Sequence, residues 1–207
     1  MRTSESTRLW ARVAGLMYLL VLLADIVGMQ MPHSSVGRTL TLIGSVLTIP
    51  LGLGLYFATR VFQPITSSLA LACRLAEAGV GIVATVAGFY SVRMSLEGSN
   101  SGQAVLHLVA WNRSTSFGAL IFTIGSTLFF FIFLRSASIP RVLGCLGVFA
   151  SLLAFCACAA HLVRPSFSAM NIVAWIPMLV SEVSTGGWLL IRSVKLPPSS
   201  DTVLQYS

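Results

Sequence analysis

The sequence contains very little charge, and that shortage excludes a soluble globular protein. Only 9% of its 207 residues are charged and 56% are hydrophobic, whereas a soluble domain carries about 25% charged residues. So few charges cannot cover a surface that faces water. The mean hydropathy of +0.87 points the same way. We therefore predict an all-α, polytopic membrane protein whose main partner is the lipid bilayer.

Residues that carry catalysis or hold metals are also scarce. The chain has six acidic residues, three histidines and four cysteines. It contains no Gly-x-Ser-x-Gly, His-Glu-x-x-His, phosphate-loop or dinucleotide-binding motif. Cys156 and Cys158 are two residues apart, about 200° around a helix, so they cannot share a face. We therefore expect no metal and no cofactor, and we assign no catalytic residue.

The formal net charge of +7 does not indicate a nucleic-acid partner. The basic residues stand singly at the ends of apolar runs, where they orient membrane helices, and form no patch. Six spans would place eight on one side: Arg2, Arg8, Arg12, Arg60, Arg135, Arg141, Arg192 and Lys195. The other side would have four: Arg38, Arg93, Arg113 and Arg164. This asymmetry predicts that both termini are cytoplasmic, in the cytoplasmic (plasma) membrane.

The apolar runs are long enough for six transmembrane helices in a compact bundle. Their predicted bounds are 13–31, 39–58, 69–90, 114–134, 142–163 and 171–191. Residues 1–12 are predicted to be a cytoplasmic segment, and residues 193–207 a cytoplasmic, disordered tail. The aromatic block Phe129–Phe133 has no polar face, so we expect it to point at lipid.

Arg74 and Glu77 lie three residues apart in the third run, and therefore on one face of a helix. A charge in the bilayer centre is costly enough to need a partner. Glu182 in the sixth run has a similar depth, so all three groups would touch if the third and sixth helices are neighbours. Ser181 and Thr185 extend this polar face. We predict these five residues as ligand-binding candidates.

A second polar layer is predicted nearer the outer surface. Asp25 in the first run and His161 near the end of the fifth have similar depths, and Arg164 follows closely. Asp25 would pair with His161 or with Arg164. A His–Asp pair could carry a proton near neutral pH, or it could be a static tie between helices.

Three functions agree with these patterns. The first is binding or transport of a small polar or amphipathic ligand that enters between the third and sixth helices. Arg74 would then suit an anionic headgroup or carboxylate. The second is a membrane enzyme that acts on a lipid, with Glu77 or Glu182 as general base. The third is a non-catalytic partner subunit whose buried charges only fix helix packing.

Several segments resemble one known family in order and spacing. They are Ala11–Gly15 with Tyr18-Leu19, Arg74-Leu75 with Glu77-Ala78, Ile139–Gly144, and Glu182 with Trp188–Leu190. The chain resembles, from about Arg8 to Lys195, the bacterial membrane family catalogued as domain of unknown function 4386. The resemblance implies an integral membrane protein of about six helices and brings no activity. Family members often carry a histidine-containing stretch where this chain has Trp111-Asn112-Arg113.

Overall fold

The computed structural model describes residues 2–31, 34–96, 117–164 and 168–196, and nearly all of them lie in six α-helices. The helices are α1 (Arg2–Gln30), α2 (Ser35–Thr59), α3 (Pro64–Leu96), α4 (Phe117–Ser136), α5 (Arg141–Val163) and α6 (Ser168–Arg192). No strand occurs in the described ranges. The predicted fold class is confirmed. The stretch Trp111–Arg113 lies outside the described residues.

Each helix contains an apolar stretch that can cross a membrane. The six stretches are 20 to 27 residues long, which at about 1.5 Å per residue is enough for a hydrocarbon core of about 30 Å. Helix α1 starts at Arg2, so most of the segment predicted to precede the first span forms the first turns of that helix.

Local sequence explains where two helices begin and how two others continue. The Ser34 side chain caps α2 by accepting a hydrogen bond from the Gly37 N–H at 2.9 Å, as serine does at this position. Pro64 occupies the first position of α3, where its missing N–H has no intrahelical partner to lose. Pro50 and Pro177 lie inside α2 and α6, as predicted.

The helices form a ring in chain order. Each packs against its sequence neighbours, and α6 packs against α1 to close the ring. Four of the five connections are short and favour this order, since they place consecutive helices side by side; residues 97–116 separate α3 from α4. Helices α3 and α6 therefore face each other across the ring, so the condition that they are neighbours is not met.

The start of α1 and the end of α6 lie at one end of the ring. The Ser193 hydroxyl, just beyond α6, donates a hydrogen bond to the Arg8 carbonyl near the start of α1, at 3.0 Å. We call this end of the bundle the terminal end and the opposite one the far end.

The aromatic block of α4 fills the interior of the ring. Phe129, Phe130, Ile132 and Phe133 are fully buried, and only Phe131 is exposed, at 39%. The prediction that this block points at lipid was wrong. A ring of six helices encloses space that small residues cannot fill, and these side chains occupy it between the cluster described below and the terminal end.

Hydrogen bonds between helices and loops stabilise the terminal end. The Ser67 hydroxyl donates to Thr59 Oγ1 at 2.9 Å across the α2–α3 turn. The Lys195 N–H donates to the Ser138 carbonyl at 2.9 Å, which ties the segment after α6 to the α4–α5 loop. Ser193 and Val194 are 3% exposed, so the disorder predicted from residue 193 onward does not extend to these first residues. Residues 197–207 lie outside the described ranges.

The contact between α1 and α6 is close because glycines line it. A Cβ at Gly15 would lie 2.5 Å from the Leu190 nitrogen and 2.6 Å from the Gly186 carbonyl oxygen, both backbone atoms. Small residues allow membrane helices to approach in this way. By contrast, a Cβ at Gly79 on α3 would meet nothing within 4 Å.

We expect Gly15→Ala to destabilise the bundle and the matched change Gly79→Ala to leave it unchanged or slightly more stable. The first forces two backbones apart, an overpacking that costs about 1–3 kcal/mol. At about 2–4 °C per kcal/mol for a chain of this size, the unfolding midpoint in an uncharged detergent should fall by several degrees. Equal midpoints for the two variants would contradict the close α1–α6 contact.

Candidate functional site

The polar groups predicted inside the membrane meet at mid-depth. Arg74 lies ten residues from the terminal-end boundary of α3, and Ser126 and Glu182 lie ten residues from the terminal-end boundaries of α4 and α6. At 1.5 Å per residue each is about 15 Å from that end. This is the middle of a hydrocarbon core about 30 Å thick.

Arg74 is the centre of the site. It is 1% exposed, and its Nη1 donates to Glu77 Oε2 at 3.0 Å. Its Nη2 donates to the Ser126 hydroxyl at 3.0 Å and to the Tyr18 hydroxyl at 3.4 Å, and lies 3.6 Å from Glu182 Oε1. One side chain thereby joins α1, α3, α4 and α6. We call these five residues the Arg74 cluster.

Apolar contacts fix the position of the guanidinium. Its Cζ lies 4.5 Å from the centroid of the Phe122 ring on α4, a cation–π distance. The Phe122 ring packs against Trp175 of α6 at 5.5 Å between centroids. On the other side, a Cβ at Gly52 of α2 would lie 3.1 Å from the Arg74 Cβ, so glycine there leaves room for the arginine stem.

The cluster contains more negative than positive groups. Two glutamates, Glu77 and Glu182, face one guanidinium. An unpaired charge at the bilayer centre costs at least about 2.5–3.5 kcal/mol. The carboxylates therefore outnumber the one guanidinium with which they pair.

The predicted candidates divide into two groups. Arg74, Glu77 and Glu182 come together although their helices are not neighbours, because the long arginine side chain crosses the ring. Ser181 is fully buried, but its hydroxyl donates to the Met178 carbonyl of its own helix at 2.8 Å. Thr185 is also fully buried, and its hydroxyl has no hydrogen-bond partner within the described part of the chain.

The predicted second layer does not assemble. Asp25 packs against α2, where a Cβ at Gly44 would collide with its Oδ1. Among the described residues no ion pair joins it to His161 or Arg164, and α1 does not pack against α5. His161 Nδ1 has no hydrogen-bond partner there, and Arg164 is exposed at the end of α5. The prediction rested only on the similar depth of these residues in the membrane.

Two parts of the sequence-based ligand hypothesis conflict with this geometry. The ring order leaves no gap between α3 and α6 through which a ligand could enter. The charge of Arg74 is already met by two carboxylates, so an anion would approach an excess of negative charge. Within the described ranges, no group of three or more histidine, cysteine, aspartate or glutamate side chains could hold a metal ion.

The sequence singled out Tyr18 only as part of a family segment, and it did not single out Ser126 or Phe122. A depth count would have placed Ser126 level with Arg74, since both lie ten residues from a helix boundary. Tyr18 and Phe122 sit in apolar runs, and no pattern in the sequence separates an aromatic that faces the interior from one that faces lipid.

These features define a class of protein: a polytopic helical membrane protein with an ion-pair cluster at its centre. The chain belongs to the family described as "Domain of unknown function (DUF4386)", whose model matches residues 13–193. This confirms the resemblance found in the sequence. Neither the search of curated proteins nor the search of solved structures found a match.

We expect Arg74→Met to destabilise the protein strongly, because methionine keeps much of the buried stem but leaves two glutamates without a counter-charge. Removing one partner of a buried pair costs about 3–5 kcal/mol, or a fall of about 6–20 °C in the unfolding midpoint. Adding Glu77→Gln and Glu182→Gln should restore most of this loss. Arg192→Met, at an exposed position, is the control and should change little; wild-type stability of Arg74→Met would contradict the pairing.

Proposed function

We propose that this membrane protein binds, and transports, a small polar or amphipathic ligand at the Arg74 cluster. The observation that carries the proposal is the unequal exposure of its charged members. The Glu77 side chain is 21% exposed, whereas those of Arg74 and Glu182 are 2% and 8% exposed. A cluster that only fixed helix packing would have no reason to keep an accessible carboxylate beside a buried guanidinium.

The exposed edge of the cluster continues toward the far end. Gly81 and Thr85 follow Glu77 along α3 and are partly exposed. On α2 the facing Ser45, whose hydroxyl lies 2.5 Å from the Cβ position of Gly81, is also partly exposed. Small and polar side chains thus extend outward from the cluster, as along the path of a hydrophilic ligand.

The terminal side of the cluster is closed by contrast. One turn and two turns below Arg74, Ala70 and Ser67 are fully buried, and so are Leu55 of α2 and Phe133 of α4. A ligand would therefore reach the cluster from the far end. Movement across the membrane would require this closed half to open.

The orientation of the bundle decides which compartment supplies the ligand. Eight basic residues belong to the terminal end and four to the far end by the count above, and the excess favours cytoplasmic termini. In this orientation the site faces the outside. A reporter at the C-terminus tests the assignment: a fused green fluorescent protein should fluoresce and a fused alkaline phosphatase should be inactive. The reverse pattern would invert the direction of access.

The route is tested by labelling single cysteines in membrane vesicles, after replacing the four native cysteines. Thr85→Cys and Ser67→Cys form a matched pair, because the two positions are 18 residues apart on α3, five full turns, and share a face. We expect a membrane-impermeant thiol reagent to label Thr85→Cys from the side opposite the termini and to leave Ser67→Cys unlabelled. A Thr85→Cys that resists the reagent from both sides would overturn the proposed access and favour a closed structural clamp.

A further inference from the structure

The charge balance of the interior restricts the ligand that it can hold. Glu77 and Glu182 both face Arg74, at 3.0 Å and 3.6 Å. Arg74 is the single basic side chain that pairs with them among the described residues. One guanidinium cannot balance two carboxylates, and uncompensated charge at the bilayer centre is unfavourable. The carboxylates that face this space from α3 and α6 therefore favour a positive charge and disfavour a negative one.

Glu182 is held less closely than Glu77. It is 6% exposed, and its contact with Arg74, at 3.6 Å, is longer than the 3.0 Å bond between Arg74 and Glu77. Thr185, one turn further along α6, is fully buried, and its hydroxyl has no hydrogen-bond partner among the described residues. Buried polar groups are nearly always paired, so a ligand N–H group directed at Glu182 would supply a closer donor than Arg74 does.

Aromatic rings lie on the far side of these carboxylates. Trp175 is two turns before Glu182 on α6, and Phe122 is one turn before Ser126 on α4, so both are displaced toward the far end. Their ring centroids are 5.5 Å apart. A cation that descends from the far end would meet these rings before the carboxylates, and aromatic faces attract cations.

We infer that the ligand is a small organic cation, an amine or quaternary ammonium with an apolar body; this rests on the binding site proposed above. The positive group would lie beside Glu182 on the far-end side of the Arg74 guanidinium, which itself occupies the space between Glu77 and Glu182. The apolar body would pack on Phe122 and Trp175. Arg74 then serves to hold the two carboxylates apart and in place, and does not itself contact an anion.

Probes that share one body and differ in charge test this inference. The full chain, purified in an uncharged detergent at neutral pH, is titrated with phenethylamine, 3-phenylpropionate and 2-phenylethanol, and a second series uses hexylamine, hexanoate and hexanol. Thermal midpoints and calorimetry report binding. We expect the amines to raise the midpoint and the anions and alcohols to have no effect.

Matched variants connect the effect to the site. Amine binding should weaken about tenfold or more in Glu182→Gln, because a charge-assisted hydrogen bond is lost. It should be unchanged in Glu5→Gln, which removes the same charge at an exposed position. Glu77→Gln provides the same test if Glu182→Gln does not fold. Equal amine binding in the wild type and both site variants would overturn the inference.

Other outcomes separate this inference from the proposed function. Stabilisation by the anion or alcohol of either series, lost in Glu182→Gln, would overturn the cationic class while the binding site stands. No binding by any probe, together with a higher midpoint for Glu182→Gln alone, would mean that a proton neutralises the cluster, and would also overturn it. The proposed binding site is tested independently by the labelling experiment: a Thr85→Cys that does not react would overturn it.

Discussion

A single guanidinium in the middle of the bilayer organises this protein. Arg74 is buried where an unpaired charge is costly, and it meets that cost through partners on its own helix and on three others. Helix α2 accommodates its stem at Gly52. Because these contacts come from around the ring, the arrangement of the helices and the pairing of the charge depend on each other. A shift of one helix would remove a partner from a group that cannot be solvated by lipid.

The two halves of the bundle differ in how they are packed. Toward the terminal end, phenylalanine and leucine side chains fill the ring, and hydrogen bonds tie the helix ends and loops together. Toward the far end, the interior positions of α2 and α3 are small or polar and partly exposed. The Arg74 cluster lies at the boundary between these halves. The packing is therefore tight on the terminal side of the cluster, whereas smaller and partly exposed side chains lie on the far side.

Parts of the site could be predicted from the sequence because they are local or depend on depth alone. The Arg74–Glu77 pair follows from a spacing of three residues on one helix, and Glu182 was placed correctly in depth by counting from the end of its span. The direction in which a side chain points around its helix could not be predicted from spacing or depth. Similar depth suggested that Asp25 meets His161, yet the two lie on helices that do not pack together. The aromatic block of α4 had no polar face to orient it and was assigned to lipid, whereas the interior needed its volume.

The sequence by itself determined that the helices lie in lipid, how many helices there are, and at what depth the charges lie. These properties follow from the length of each hydrophobic run and from the positions of the few charges, which can be read along the chain. Only the tertiary structure decided which helices are neighbours, and hence that Arg74 crosses the ring to Glu182 and that Tyr18, Phe122 and Ser126 surround it. Lipid tails are as apolar as the side chains of these helices, so every apolar face of a helix is compatible with lipid. Composition therefore cannot say which face turns toward the interior of the bundle. That choice depends on close packing at positions such as Gly15 and Gly52, where the shapes of two helices must fit at once.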